Sequence, residues 1–128
     1  MTIAEVAEKY GLTADTLRYY EKIGLLAPVS RTKGGIRNYN ENECEAVEFI
    51  KCMRNAGVSV EALIEYVSLF QKGKETRQAR IAILMKGRDQ LTVRLAEMRE
   101  ALDKLNFKIE NYDTIMLEVE RKIYQRES

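Results

Sequence analysis

Ten apolar residues recur at alternating steps of four and three from position 91 to position 123: Leu91, Leu95, Met98, Leu102, Leu105, Ile109, Tyr112, Met116, Val119 and Ile123. Steps averaging about 3.5 keep a stripe on one side of a helix and have the heptad spacing of a coiled coil. The stripe extends weakly backward through Leu84 and Ile81, with Arg88 as the one misfit. A helix over about 76–124 would be roughly 70 Å long at about 1.5 Å per residue, too long for a small head to cover. A partner helix is required, and a second copy of the chain is the simplest supply, with Leu91, Leu95, Met98, Leu102, Leu105 and Ile109 as a dimer core rather than a cofactor box. Asn106, Asn111 and Asp113 are poorer helix formers. A break near them, with the last dozen residues folding back as a separate short helix, is the alternative to one continuous rod.

The first 73 residues read differently, because glycines cut them into short units that each open on a capping residue. Thr2 with Glu5 makes a capping box for a helix over about 3–9, ending before Gly11. Thr13 caps a second over about 14–22, with Leu17, Tyr20 and Ile23 on one side and Gly24 beyond its end. Asn40 with Glu43 starts a third that runs to Gly57, and Ser59 a fourth that runs to Gly73. Between the second and third, Pro28 and Gly34-Gly35 interrupt stretches holding Val29, Ile36 and Tyr39, which predicts a small β-hairpin. The fold class is mainly α: a winged helix-turn-helix head over 1–73 and a coiled-coil dimerisation helix over 74–128.

The chain has no histidine and two cysteines, Cys44 and Cys52. Ser/His and Cys/His catalytic pairs and imidazole metal sites are therefore excluded within one chain, and no phosphate-binding glycine motif or paired carboxylate site supports an enzyme. No metal and no cofactor is expected. No apolar run is long enough to span a membrane and no secretion signal is evident, so the expected compartment is the cytoplasm, with thiols reduced. Net charge is +1, which alone argues against a nucleic-acid partner. The distribution argues for one: residues 28–39 carry Arg31, Lys33 and Arg37 without an acid, and residues 40–48 carry Glu41, Glu43, Glu45 and Glu48 without a base.

Two short helices around a turn with Gly11 and Leu12 have the spacing of a helix-turn-helix, whose second helix offers its N-terminal half to the major groove. The outward side of that helix carries Thr16, Arg18 and Tyr19, and the hairpin adds Arg31, Lys33, Arg37 and Tyr39, the mixture of cations, hydroxyls and phenols that phosphate and base contacts use. Tyr20 shares a side with Leu17 and Ile23, so packing in the head and contact with phosphate are both open to it.

The segments Ile3-Ala4-Glu5-Val6-Ala7, Gly11-Leu12-Thr13, Thr16-Leu17-Arg18-Tyr19-Tyr20-Glu21-Lys22-Ile23-Gly24-Leu25 and Gly35-Ile36-Arg37-Asn38-Tyr39 resemble, in order, the head of the MerR family of bacterial transcription regulators. The C-terminal seam is similar to that family's antiparallel dimerisation helix. The resemblance implies a homodimer on palindromic promoter DNA with an overlong spacer, acting on RNA polymerase indirectly through DNA distortion. It carries DNA contact to Arg18, Tyr20, Arg31, Arg37 and Tyr39, and departs from the family at Ile36, where many members have Tyr.

The family resemblance also bears on the signal. Copper, mercury and zinc members place cysteines at or beyond the dimer helix, whereas here no cysteine follows Cys52, and multidrug-type members append a large ligand domain, whereas this sequence ends at Ser128. The stretch Phe49-Ile50-Lys51-Cys52-Met53-Arg54-Asn55-Ala56-Gly57 is similar to that of the aldehyde- and electrophile-responsive, AdhR- and NmlR-like members, which implies that Cys52 is the sensor. From the residues themselves, Cys52 sits roughly 130° from the centre of the apolar stripe of its helix at about 100° per residue, and Lys51 and Arg54 flank it. The alternative is a small cysteine that only packs. Cys44 lies eight residues away, about 12 Å along a helix and beyond the roughly 7 Å reach of a disulfide. A response to a noncovalent small ligand, or a purely structural coiled-coil adaptor, are the competing functions.

Overall fold

The computed structural model describes residues 1–124. Six α-helices follow in order: α1 (Ile3–Tyr10), α2 (Ala14–Lys22), α3 (Glu41–Asn55), α4 (Val60–Lys72), α5 (Arg77–Glu110) and α6 (Leu117–Tyr124). The chain forms two compact units, Met1–Asp89 and the remainder from Gln90.

Each of α1 to α4 starts on its predicted cap. The Glu5 amide donates to Thr2 Oγ1 at 3.1 Å and the Thr2 amide to Glu5 Oε1 at 2.8 Å; Asn40 and Glu43 make the same reciprocal pair. Thr13 caps α2 and Ser59 caps α4 through one bond each. These bonds satisfy amides that a helix start otherwise leaves orphaned. Gly11 ends α1 at φ 66°, a left-handed conformation that residues with a Cβ avoid, and the Leu12 amide closes back on the Ala7 carbonyl at 2.9 Å.

The apolar faces of the helices meet in one core, in which Val6, Leu17, Val47 and Leu63 are fully buried and Tyr10, Tyr20, Leu25, Leu26, Val29, Tyr39, Cys44, Ile50 and Val58 surround them. Burying each such side chain stabilises by about 1.5 to 3 kcal/mol. α1 packs on α2 and α3, and α3 on α4.

The wing is slighter than a hairpin. Arg31 and Arg37 form one isolated antiparallel bridge, and the Thr32 amide donates to the Ile36 carbonyl at 2.8 Å while the Gly35 amide donates to Thr32 at 2.9 Å. No named strand is present among the described residues. A seven-residue loop with two glycines has too few residues to extend a ladder past one bridge, and side chains take over its anchoring.

α5 carries the seam and ends where the sequence offers its weakest helix formers. Asn111 leaves helical geometry at φ −112°, ψ 30°, and its side-chain amide donates to the Phe107 carbonyl at 2.8 Å. A π-turn (Tyr112–Met116) leads into α6, so the predicted continuous rod is broken. α6 continues directly from that π-turn and does not pack back along α5 among the described residues, and the Tyr112 hydroxyl donates to Glu120. Residues 125–128 of the predicted terminal segment lie outside the described residues. Within this unit Leu91, Leu95, Met98, Leu102, Leu105 and Ile109 are all exposed.

Candidate nucleic-acid interface and effector thiol

α2 divides its residues between core and solvent by helical period. Leu17 and Tyr20 point inward, with Tyr20 only 7% exposed, while Tyr19, one residue earlier, is 51% exposed. The ring of Tyr20 thus packs in the head. Arg18 is solvent-exposed and pairs with Asp15 at 2.8 Å, an exposed (i, i+3) pair of at most about 1 kcal/mol, which holds the guanidinium loosely. Thr16 shares a 2.8 Å hydroxyl bond with the cap residue Thr13 and is half-buried.

On the wing, Arg31 and Lys33 face solvent, and Arg31 steadies the turn by donating from Nη1 to the Gly35 carbonyl at 2.7 Å. Arg37 is placed differently: its Nε donates to Glu21 Oε1 at 2.9 Å, with both side chains mostly shielded from water. The other oxygen of Glu21 accepts the Val29 amide at 3.2 Å. One carboxylate of α2 thereby ties down both ends of the wing. Glu43 of α3 adds a hold at one end, accepting the amide and hydroxyl of Ser30 at 2.8 and 3.1 Å. Tyr39 is 2% exposed, and its hydroxyl has no partner among the described residues. Burial first, and the nearby Glu21 and Glu43 carboxylates after it, push its phenol above the ordinary range against the opposing charges of Arg37 and Arg18.

Thr16, Arg18, Tyr19, Arg31 and Lys33 therefore stand on the outside of α2 and the wing, and Tyr20, Arg37 and Tyr39 in the layer beneath. Sequence reasoning missed Glu21 and Glu43 as the struts between them. The available signal was an acid at each edge of a segment holding only basic charges.

Burial alone would raise the carboxyl of Glu21, yet the hydrogen bonds from Arg37 and the Val29 amide and the charges of Arg37 and Arg31 outweigh it and lower the group below 4.5. A lowered folded-state value means that the strut is complete at neutral pH and is lost as pH falls below about 4.5 toward the folded value. Glu21→Gln should cost on the order of 1 to 3 kcal/mol at neutral pH. In melting curves taken from neutral pH down to about pH 3, the gap between wild type and variant should narrow toward acid; a gap independent of pH would remove the ionised strut.

The two thiols are in unlike places. Cys44 is buried, with Sγ 3.9 Å from Met1 Sδ, and Cys52 is exposed on the last full turn of α3. The flanking cations are engaged elsewhere: Arg54 Nη1 donates to the Val58 carbonyl at 2.9 Å, and Lys51 Nζ lies beside Gly11, 3.2 Å from where a Cβ there would stand. Accessibility rather than flanking charge is what the geometry adds for Cys52. Among the described residues no group of His, Cys, Asp and Glu could hold a metal ion, and no helix is long and apolar enough to cross a membrane.

Residues 1–69 match the family model for MerR HTH family regulatory proteins. The chain is 60% identical over 84 residues to the HTH-type transcriptional regulator AdhR of Bacillus subtilis, an alignment covering 66% of this chain and 60% of AdhR. The curated relatives it matches are thus spanned over about half to three fifths of their length. Among solved structures, a MerR family transcriptional regulator from Listeria monocytogenes is 43% identical with TM-score 0.80, covering 98% of this chain and 95% of that one. HiNmlR, described as a MerR family regulator lacking the sensor domain and bound to promoter DNA, is 28% identical with TM-score 0.77, covering 91% and 92%. These relatives are regulators and not enzymes, and the family model matches more than half of the chain: it belongs to the MerR family of helix-turn-helix regulatory proteins.

Proposed function

We propose that the chain is a cytoplasmic transcriptional activator that binds promoter DNA as a homodimer and responds to reactive aldehydes or related electrophiles through Cys52. The observation that carries the DNA reading is the single outward surface made by α2 and the wing. Arg31 and Lys33 take the backbone beside the groove, and Thr16, Arg18 and Tyr19 enter it. Arg37, Tyr20 and Tyr39 hold these two parts at a set distance from beneath, as a rigid phosphate and base reader requires. The head over 1–73 reads DNA, and the helix over 74–128 pairs two heads through its seam. Two half-sites held at a fixed spacing let the dimer distort the promoter, so that polymerase is affected through the DNA. HiNmlR, a structural relative bound to promoter DNA, supports this reading.

At Cys52, addition of the thiol to an aldehyde forms a carbon–sulfur bond and moves the thiol proton to the carbonyl oxygen, giving a thiohemiacetal without any oxidant. The exposed sulfur is open to such a reagent, whereas Cys44 is shielded.

The DNA reading is tested with the fragment upstream of the gene. Arg31→Ala should weaken binding by about 1 to 3 kcal/mol with the dimer intact, and Lys33→Ala should lower the salt dependence by about one phosphate contact. Unchanged affinity in both folded variants would take the wing out of the interface.

A further inference from the structure

Gly87 is the buried residue of α5, and nothing about its backbone calls for glycine, because it is not among the residues with positive φ. Space does. A Cβ on Gly87 would stand 2.9 Å from Val58 Cγ2, closer than two carbon atoms pack. Val58 is itself buried and belongs to the core.

Val58 is also bound to the turn that carries Cys52. Its amide donates to the Met53 carbonyl at 3.0 Å, the Ala56 amide donates to the Cys52 carbonyl at 3.1 Å, and Arg54 holds the Val58 carbonyl at 2.9 Å. Val58 Cγ2 is the atom that meets the position of a Cβ on Gly87. α5 has a second anchor about 10 Å earlier, at about 1.5 Å per residue, where Arg80 lies over the Phe70 ring at 5.3 Å and donates to Thr76 Oγ1 at 3.2 Å.

We propose that the Val58–Gly87 contact is the joint through which the state of Cys52 reaches α5. The inference rests on Cys52 being the effector thiol. An adduct there enlarges a side chain on the last turn of α3, a shift of that turn carries Val58 with it, and close packing passes the displacement to α5 because no void can absorb it. With α5 held at Arg80, a push at Gly87 tilts it. Val58 and Gly87 are positioning residues and do not touch the electrophile.

The test uses the full chain, a promoter reporter induced with formaldehyde, and mass spectrometry of Cys52 after formaldehyde treatment. Gly87→Ala should cut the induction ratio at least fivefold while Cys52 is modified at the wild-type rate and the promoter fragment is bound with unchanged affinity. Adding Val58→Ala, which removes the methyl groups the new Cβ would strike, should restore most of the induction. Wild-type induction in Gly87→Ala overturns the joint, and so does a double variant as unresponsive as the single one, since that marks a general defect. If Gly87→Ala does not fold, Val58→Ala alone decides: it leaves a gap at the joint and must lower induction without slowing modification, and normal induction overturns the proposal. Should Cys52→Ala respond normally, the thiol reading fails and the joint with it; a silent Cys52→Ala beside a normal Gly87→Ala removes the joint alone.

Discussion

Replacing both Leu102 and Leu105 with Lys is expected to turn the protein into a monomer that no longer binds its operator. In the single chain these two leucines are 50% and 56% exposed, and they belong to a row of apolar side chains that no described residue of the second unit covers. A row of that length left in water marks an interaction surface. Pairing of two chains would bury each leucine twice, so the double substitution removes four buried leucines per dimer. Since each is already half-buried in the single chain, about half of the usual 1.5 to 3 kcal/mol per leucine is at stake, and the loss is on the order of 3 to 6 kcal/mol before the cost of placing four ammonium groups in the seam. Since about 1.4 kcal/mol is a factor of ten, dimer affinity falls by at least about two orders of magnitude. DNA binding follows, because a lone head loses the second half-site. Sedimentation of the variant and of wild type at micromolar concentration checks the first part and titration with the promoter fragment the second; a wild-type monomer would sink the assembly.

Cys52→Ala should abolish induction by aldehyde altogether while leaving promoter affinity as it was. The substitution removes the only exposed sulfur nucleophile among the cysteines and costs little stability, since the side chain packs little. Cys44→Ala should stay responsive, because that thiol is enclosed next to Met1. Reporter induction in the two variants separates the readings: a normal response from Cys52→Ala points to a noncovalent ligand, and loss of response only in Cys44→Ala puts the sensor at the buried cysteine. Binding and induction are expected to part company here because activation in this scheme is a change in how the bound dimer holds the DNA, not in how tightly it binds.

The sequence by itself determined the helices of the head, almost residue by residue, and the location of the seam. Both are local properties. A cap such as Thr2 or Asn40 acts on an amide three residues away, and a heptad stripe is a matter of spacing along one helix, so neither depends on where the rest of the chain goes. The break at Asn111 stood open in the sequence as the alternative to a continuous rod, and the structure decides it, with the Asn111 side chain satisfying a carbonyl four residues back.

Other features needed the tertiary structure. Helical period puts Tyr19 and Tyr20 on different sides of α2, but only the packing of the head shows how fully Tyr20 is enclosed, at 7% exposed. Arg37 looks like its neighbour Arg31 in sequence, yet it is tied to Glu21, sixteen residues away, because the wing returns to α2 at that point. The wing itself reads as a hairpin and folds as a single bridge held by carboxylates from two other helices. Arg88 is the misfit in the backward extension of the seam, and in the structure the buried residue of α5 is its neighbour Gly87, small where Val58 occupies the space. Interactions within one helical turn are set by residues that are neighbours whatever the fold, whereas these depend on which segments the core brings together, and no spacing along the chain encodes that meeting.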